Sequence, residues 1–239
     1  MNINEIIILL ICLLICLLLL FSSTFRSYYN ENFDSPYIIG YIHVCQKDNW
    51  EKSFDMLMNS IKSSGLYEKT SEIRIGIVNE REELINDERF NDSKIKILFV
   101  KNSNLYERPT LLHMKEMSYN DPDNTIYYYL HTKGIKHFGT KSEENVLKWI
   151  KEMLYWNINK WESALQYLKS NETYGINYNN IHYSGNFWWS TIEHIKRLPN
   201  TIDDYYTAPE DWILKDKTGL YCAYNCEPHF DSSYIDGIY

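Results

Sequence analysis

The sequence predicts an α/β layered domain with a largely parallel sheet over residues 37–239. Three observations carry that expectation. Runs of β-forming residues alternate with segments of helical periodicity. The connections between those runs are long enough for right-handed crossovers between parallel strands. One β-run, Ile126–Leu130, stops abruptly in His131, Thr132, Lys133 and Gly134. Open α/β sheets meet their ligands in loops at the carboxyl ends of strands, and this loop has the side chains to do so.

The elements follow in order. "YIIGYIHVCQ", 37–46, is apolar and β-rich. Trp50, Phe54, Leu57, Met58 and Ile61 then recur at helical spacing, and Gly65 closes the segment. Residues 72–79 and 94–102 read as two further strands, and 107–119 as a helix. "NTIYYYLH" is the fourth strand. Residues 143–169 predict one long helix, because Val146, Ile150, Met153, Leu154, Trp161, Leu165 and Leu168 form one apolar stripe. "TYGINY" is a short strand and "SGNFWWST" follows it. A helical piece then runs through Lys196 to Pro199. No internal repeat is present.

Ahead of this domain, "EIIILLICLLICLLLLF" carries no charge after Glu5, and Ser22, Ser23 and Thr24 extend the uncharged stretch. It suffices for a membrane-spanning helix at the short end of the usual range. A cleaved signal peptide would want a basic start and a shorter apolar core, and residues 1–4 hold no Lys or Arg. The expected organisation is an uncleaved anchor over 1–24, a polar stem over 25–36 and the α/β domain over 37–239. The short head and large tail favour a single-pass, type II arrangement with the carboxyl-terminal domain lumenal or external. The triplets Asn91-Asp-Ser and Asn171-Glu-Thr would then be glycosylation acceptors.

Lys plus Arg number 24 against 32 Asp plus Glu. An acidic chain of this kind does not predict a nucleic-acid partner, which needs a basic face. Cysteines number 5, too few for a disulfide scaffold. Cys45 reads as a buried thiol, and Cys222 and Cys226 are spaced for a disulfide if the domain is lumenal. Phosphoryl transfer of the P-loop type is disfavoured, since no G-x-x-x-x-G-K-[ST] loop occurs.

Four places carry candidate chemistry. In His131-Thr132-Lys133-Gly134, a lysine at a strand end pairs with phosphate as a point charge, and a glycine lets the backbone approach. In "HYSGNFWWS", Gly185 between Ser184 and Asn186 predicts a tight turn. Alternation there sends one of Trp188 and Trp189 to the core and the other to the surface. In "APEDWIL", Pro209 suits a first helical turn, and Glu210 and Asp211 either answer the helix dipole or aim a carboxylate into a cleft. His229, near the carboxyl terminus, is a candidate metal or phosphate ligand.

Together, "YYLHTKG", "SGNFWWS" and "PEDWIL" resemble a group of viral and bacterial glycosyltransferase-like domains, and more broadly the GT-A fold of nucleotide-sugar glycosyltransferases. The resemblance covers roughly residues 37–230. It implies a Rossmann-type three-layer α/β/α domain that moves a sugar from a nucleotide-sugar donor to a hydroxyl of a glycan-type acceptor. By the same resemblance Asp211 is the base and Glu210 its neighbour. His131, Thr132, Lys133, Gly134, Gly185 and Asn186 meet the donor and its diphosphate. Ser184, Trp188 and Trp189 shape the sugar and acceptor pocket, and the strand end at His43–Gln46 faces the nucleotide base. The family's Asp-x-Asp, which holds Mn or Mg, is replaced here by His131-Thr132-Lys133. Either Lys133, with His131, neutralises the diphosphate without metal, or a metal sits elsewhere, on Asp121 or Asp123 with His229. A catalytically inactive module of the same fold, binding glycans or nucleotides, is the competing expectation.

Overall fold

The computed structural model describes residues 36–225. The expected anchor and stem, and with them Cys226 and His229, lie outside the described residues. Among the described residues, no helix is long and apolar enough to cross a membrane.

The fold is α/β, built on a seven-stranded sheet in the order β3-β2-β1-β4-β6-β5-β7. The strands are β1 (Tyr37–Cys45), β2 (Thr70–Asn79), β3 (Ile95–Asn102), β4 (Thr125–His131), β5 (Thr173–Gly175), β6 (Trp188–Thr191) and β7 (Leu220–Cys222). β1 pairs in parallel with both β2 and β4, β2 with β3, and β5 with β7. Only β6 runs antiparallel to its neighbours β4 and β5. The expected, largely parallel sheet is present. The order turns back at β1, whose two neighbours, β2 and β4, both follow it in the chain but lie on opposite sides of it in the sheet.

β1 and β4 are buried along nearly their whole length, as parallel strands covered on both faces should be. Ile38, Ile42, Val44, Tyr128, Leu130 and Trp189 face one core. Helix α1 (Trp50–Ser63) and helix α4 (Glu143–Leu154) cover it. Ile39, Tyr41, Tyr127, Tyr129 and Trp188 face a second core. There the cover comes from α3 (Arg108–Met117), α6 (Ile192–Arg197) and α7 (Ala208–Trp212). Between α1 and β2 lies the single-turn α2 (Leu66–Lys69).

Two expectations are corrected. Residues 143–169 are not one helix. After α4 the chain makes a π-helical turn at Tyr155–Asn159 and resumes as α5 (Trp161–Tyr167). The wider turn leaves carbonyls for tertiary partners: Trp156 O accepts from Tyr174 Oη at 3.1 Å, and Asn157 O accepts from Trp189 Nε1 at 2.7 Å. Trp188 and Trp189 do point to opposite faces, but both are fully buried. α6 and α7 cover the face that alternation alone assigned to solvent.

The amino end of β4 is locked by charge. Arg74 on β2 grips Asp121 through two hydrogen bonds, of 2.6 and 2.7 Å. Tyr127 Oη donates to Asp121 at 2.7 Å, and Arg74 also donates to Tyr41 Oη at 2.9 Å. Asp121 is therefore committed to an arginine, and Asp123 is exposed beside Lys196. Removing one member of a buried pair leaves the other charge desolvated. Asp121→Asn is expected to cost about 3–5 kcal/mol in urea unfolding; a change under about 1 kcal/mol would show that the grip is dispensable.

Candidate functional site

A cleft of about 250 Å³ opens at the carboxyl ends of β1 and β4, where the strand order turns back. Its walls include His43, Cys45, Glu107, His131, Thr132, Lys133, Gly134 and Glu210. So the tetrapeptide that ends β4 lies on the cleft, together with one of the two acids of "PEDWIL".

The floor is set by strand register. His43 on β1 stands opposite His131 on β4. Thr132 extends the ladder, its N–H donating to His43 O at 2.9 Å, and its Oγ1 accepts from the Cys45 amide at 3.0 Å. Thr132 therefore stitches β1 to β4. Beyond it the backbone of Lys133 is held on both sides by Ser53 of α1, whose Oγ accepts from Lys133 N at 2.9 Å and lies 3.1 Å from Lys133 O. The Lys133 side chain is buried, and its Nζ lies 4.4 Å from the centre of the Trp149 ring. Gly134 follows in the left-handed region, at φ 71°.

Both histidines are buried. Burial pushes His43 down to about 4, and burial with the Lys133 charge pushes His131 down to about 3. Neutral imidazoles result at physiological pH, so His131 brings no positive charge to a diphosphate. Its Nε2 lies 3.0 Å from Gly185 O, and a carbonyl can only accept, so that nitrogen carries the proton. Gly185 sits at φ 87°, and a Cβ there would come within 2.2 Å of Met153 Sδ. The turn needs glycine both for its conformation and for the close approach. Ser184 lies outside the cleft wall.

Glu107 is the residue that sequence reasoning missed. It precedes α3, lines the cleft, and its Oε2 accepts from Tyr129 Oη at 2.6 Å and Asn186 Nδ2 at 2.7 Å. Asn186 in turn accepts from Trp188 Nε1 at 2.8 Å. Asn186 and Trp188 thus hold Glu107 in place rather than facing the cleft themselves. Burial and the Glu107 carboxylate drive the Tyr129 phenol well above its ordinary value, which keeps it a donor. The only sequence signal was an acid beside Arg108-Pro109, which also fits a simple helix start.

Glu210 and Asp211 part company. Glu210 lines the cleft, is buried, and its Oε2 has no hydrogen-bond partner. Asp211 is absent from the cleft wall; His182 Nδ1 lies 2.9 Å from its Oδ1 and Tyr205 Oη donates to its Oδ2 at 2.7 Å. The Asp211 carboxylate pushes the Tyr205 phenol up to about 12. His182 Nε2 accepts from Asn179 at 2.8 Å, so the proton is on Nδ1 and points at Asp211. At the cleft mouth, the exposed rings of Tyr106 and Tyr206 meet edge to face, 5.1 Å apart.

The site can therefore meet an anion with the Lys133 ammonium and accept a proton at Glu210. No protein family, curated protein or solved structure matches this chain.

The buried histidines set a pH dependence. The unfolded chain takes up protons on them below about pH 6.5, while the folded chain resists until about pH 4 at His43 and about pH 3 at His131. Their contribution is complete above pH 6.5 and is lost as pH falls, on the order of 3 kcal/mol each by pH 4. Thermal melts from pH 8 to 4 should show it, with a shallower slope between pH 6.5 and 5 in His43→Gln. Equal slopes in the two proteins would refute the assignment.

Proposed function

We propose that the chain is a membrane-anchored glycosyltransferase of GT-A type, moving a sugar from a nucleotide-sugar donor to an acceptor hydroxyl. The observation that carries this reading is that a buried lysine, Lys133, and a buried carboxylate, Glu210, whose Oε2 accepts no hydrogen bond and lies 3.8 Å from His182 Nε2, line one cleft at the turn-back point of an α/β sheet. In the proposed step the acceptor O–H gives its proton to Glu210 as its oxygen forms the bond to the sugar's anomeric carbon. The bond from that carbon to the donor phosphate breaks, and its electron pair leaves with the nucleoside diphosphate, beside Lys133. Glu210 takes the role of base because it lines the cleft. Asp211 positions the helix start through His182 and Tyr205. Glu107 lies across the cleft as a fixed hydrogen-bond acceptor for donor or acceptor hydroxyls.

The end of β4 does not suit Mn or Mg. His131 Nε2 is committed to Gly185 O, the Thr132 hydroxyl to the Cys45 amide, and Lys133 adds positive charge where an ion would need oxygen donors. The proposed chemistry relies on Lys133 for the diphosphate.

The test is release of nucleoside diphosphate from a panel of nucleotide sugars, with sugar acceptors present. Lys133→Ala is expected to raise the KM for donor about 10- to 100-fold, the scale of one lost charge-assisted contact. Glu210→Gln is expected to lower kcat by about 10²–10⁴ with donor KM nearly unchanged. Asp211→Asn should fall between Glu210→Gln and wild type. Donor binding without turnover in the wild-type chain would replace the enzyme reading with a binding module.

A further inference from the structure

We infer that Glu172, His194 and Asp216 form a zinc site that ties together the carboxyl-terminal half of the sheet. None of the three lines the cleft, and the inference does not rest on the glycosyltransferase reading.

The ligand atoms of these residues all lie within 4.8 Å of one another, the one such group among the described residues. They come from three segments. Glu172 immediately precedes β5, His194 lies on α6, and Asp216 lies in the turn before β7. A single ion there would bind the strand end, the helix and the turn to each other.

The decisive observation is the state of His194. The ring is fully buried. Its Nε2 is 2.8 Å from Ile213 O, and because a carbonyl only accepts, Nε2 carries the proton. That leaves a bare lone pair on Nδ1, which has no hydrogen-bond partner and faces Glu172 Oε2 at 3.5 Å. Two acceptors thus face each other; Arg197 Nη2 already answers the Glu172 oxygen, but the buried Nδ1 is left without a donor, which costs free energy unless something positive reaches it. A proton on Nδ1 is one answer. A metal ion is the other. Ligand atoms about 2.1 Å from a tetrahedral ion lie about 3.4 Å apart, close to the spacing of His194 and Glu172.

The donor set selects the metal. One imidazole nitrogen and two carboxylates suit zinc, with the fourth position open to water. Calcium and magnesium prefer oxygen throughout. Arg197 now spans the two acids: its Nη2 bonds Glu172, and its Nε donates to Asp216 at 2.7 Å. Its side chain is 40% exposed, so it can swing into solvent when an ion arrives. Arg197 is the competitor for the site, and it leaves the His194 lone pair unanswered.

The experiment is equilibrium dialysis of the full-length chain, stripped with chelator, against zinc alone, with bound metal counted by mass spectrometry. Wild type is expected to hold one zinc. Glu172→Gln and Asp216→Asn should each weaken it at least about tenfold. Arg197→Ala keeps all three ligands and removes the competitor, so it should bind zinc more tightly than wild type. That variant also decides the matter if the other two fail to fold. No zinc on wild type, zinc held equally well by Glu172→Gln and Asp216→Asn, or weaker binding in Arg197→Ala would each overturn the assignment.

Discussion

The parallel pairing of β1 with β4 is the constraint on which the site depends. It places His43 beside His131 and is clamped at its carboxyl end by Thr132, which bonds both His43 O and the Cys45 amide. Past that clamp the two chains diverge, one toward Lys47 and the other toward Lys133, and the space between them is the cleft. Slippage by one residue would exchange the faces of every side chain on a strand. Tyr129 and His131 would then turn away from Glu107. Register is specified because both faces of both strands are packed, so neither has a solvent side to slip toward.

The electrostatic character of the cleft follows from burial more than from the count of charges. Its two floor histidines are uncharged, and the buried ammonium at Lys133 is opposed by carboxylates of unequal standing. Glu107 is held by a tyrosine and an asparagine, so it is fixed in place. Glu210 Oε2 accepts no hydrogen bond, with His182 Nε2 3.8 Å away. A carboxylate with an unused oxygen in a closed place is a reactive arrangement, whereas one already accepting two hydrogen bonds is a template. Asp211, one residue further on, is bonded by His182 and Tyr205, and the same imidazole reaches Glu210 Oε2 at 3.8 Å.

Much of the fold was legible in the chain. Periodicity located the strands and the first helix, because parallel strands covered on both faces are written as apolar runs. Alternation in Trp188–Trp189 correctly implied opposite faces, but it carries no information on whether a face is covered. The break in the helix after Leu154 was not legible, since a π turn is selected by partners distant in sequence, the Tyr174 hydroxyl and the Trp189 indole. The His-Thr-Lys-Gly loop was legible as a place of interest, though the roles divide differently: Thr132 joins strands and His131 is neutral. Glu107 was illegible because an acid at a helix start satisfies the dipole whether or not it does anything else.

The reversed direction of β6 has a consequence for the order in which the molecule assembles. Because β6 runs against β4, the start of β6 lies beside the end of β4, and this is what brings Gly185 O to His131 and Asn186 to Glu107. The cleft is therefore closed by a segment made long after the strands it completes. During synthesis β1 through β4 can pair while the histidine floor still stands open to water. A nascent chain halted before residue 184 would carry most of the sheet and none of the finished site, so the appearance of the site reports on completion of folding, not on its beginning.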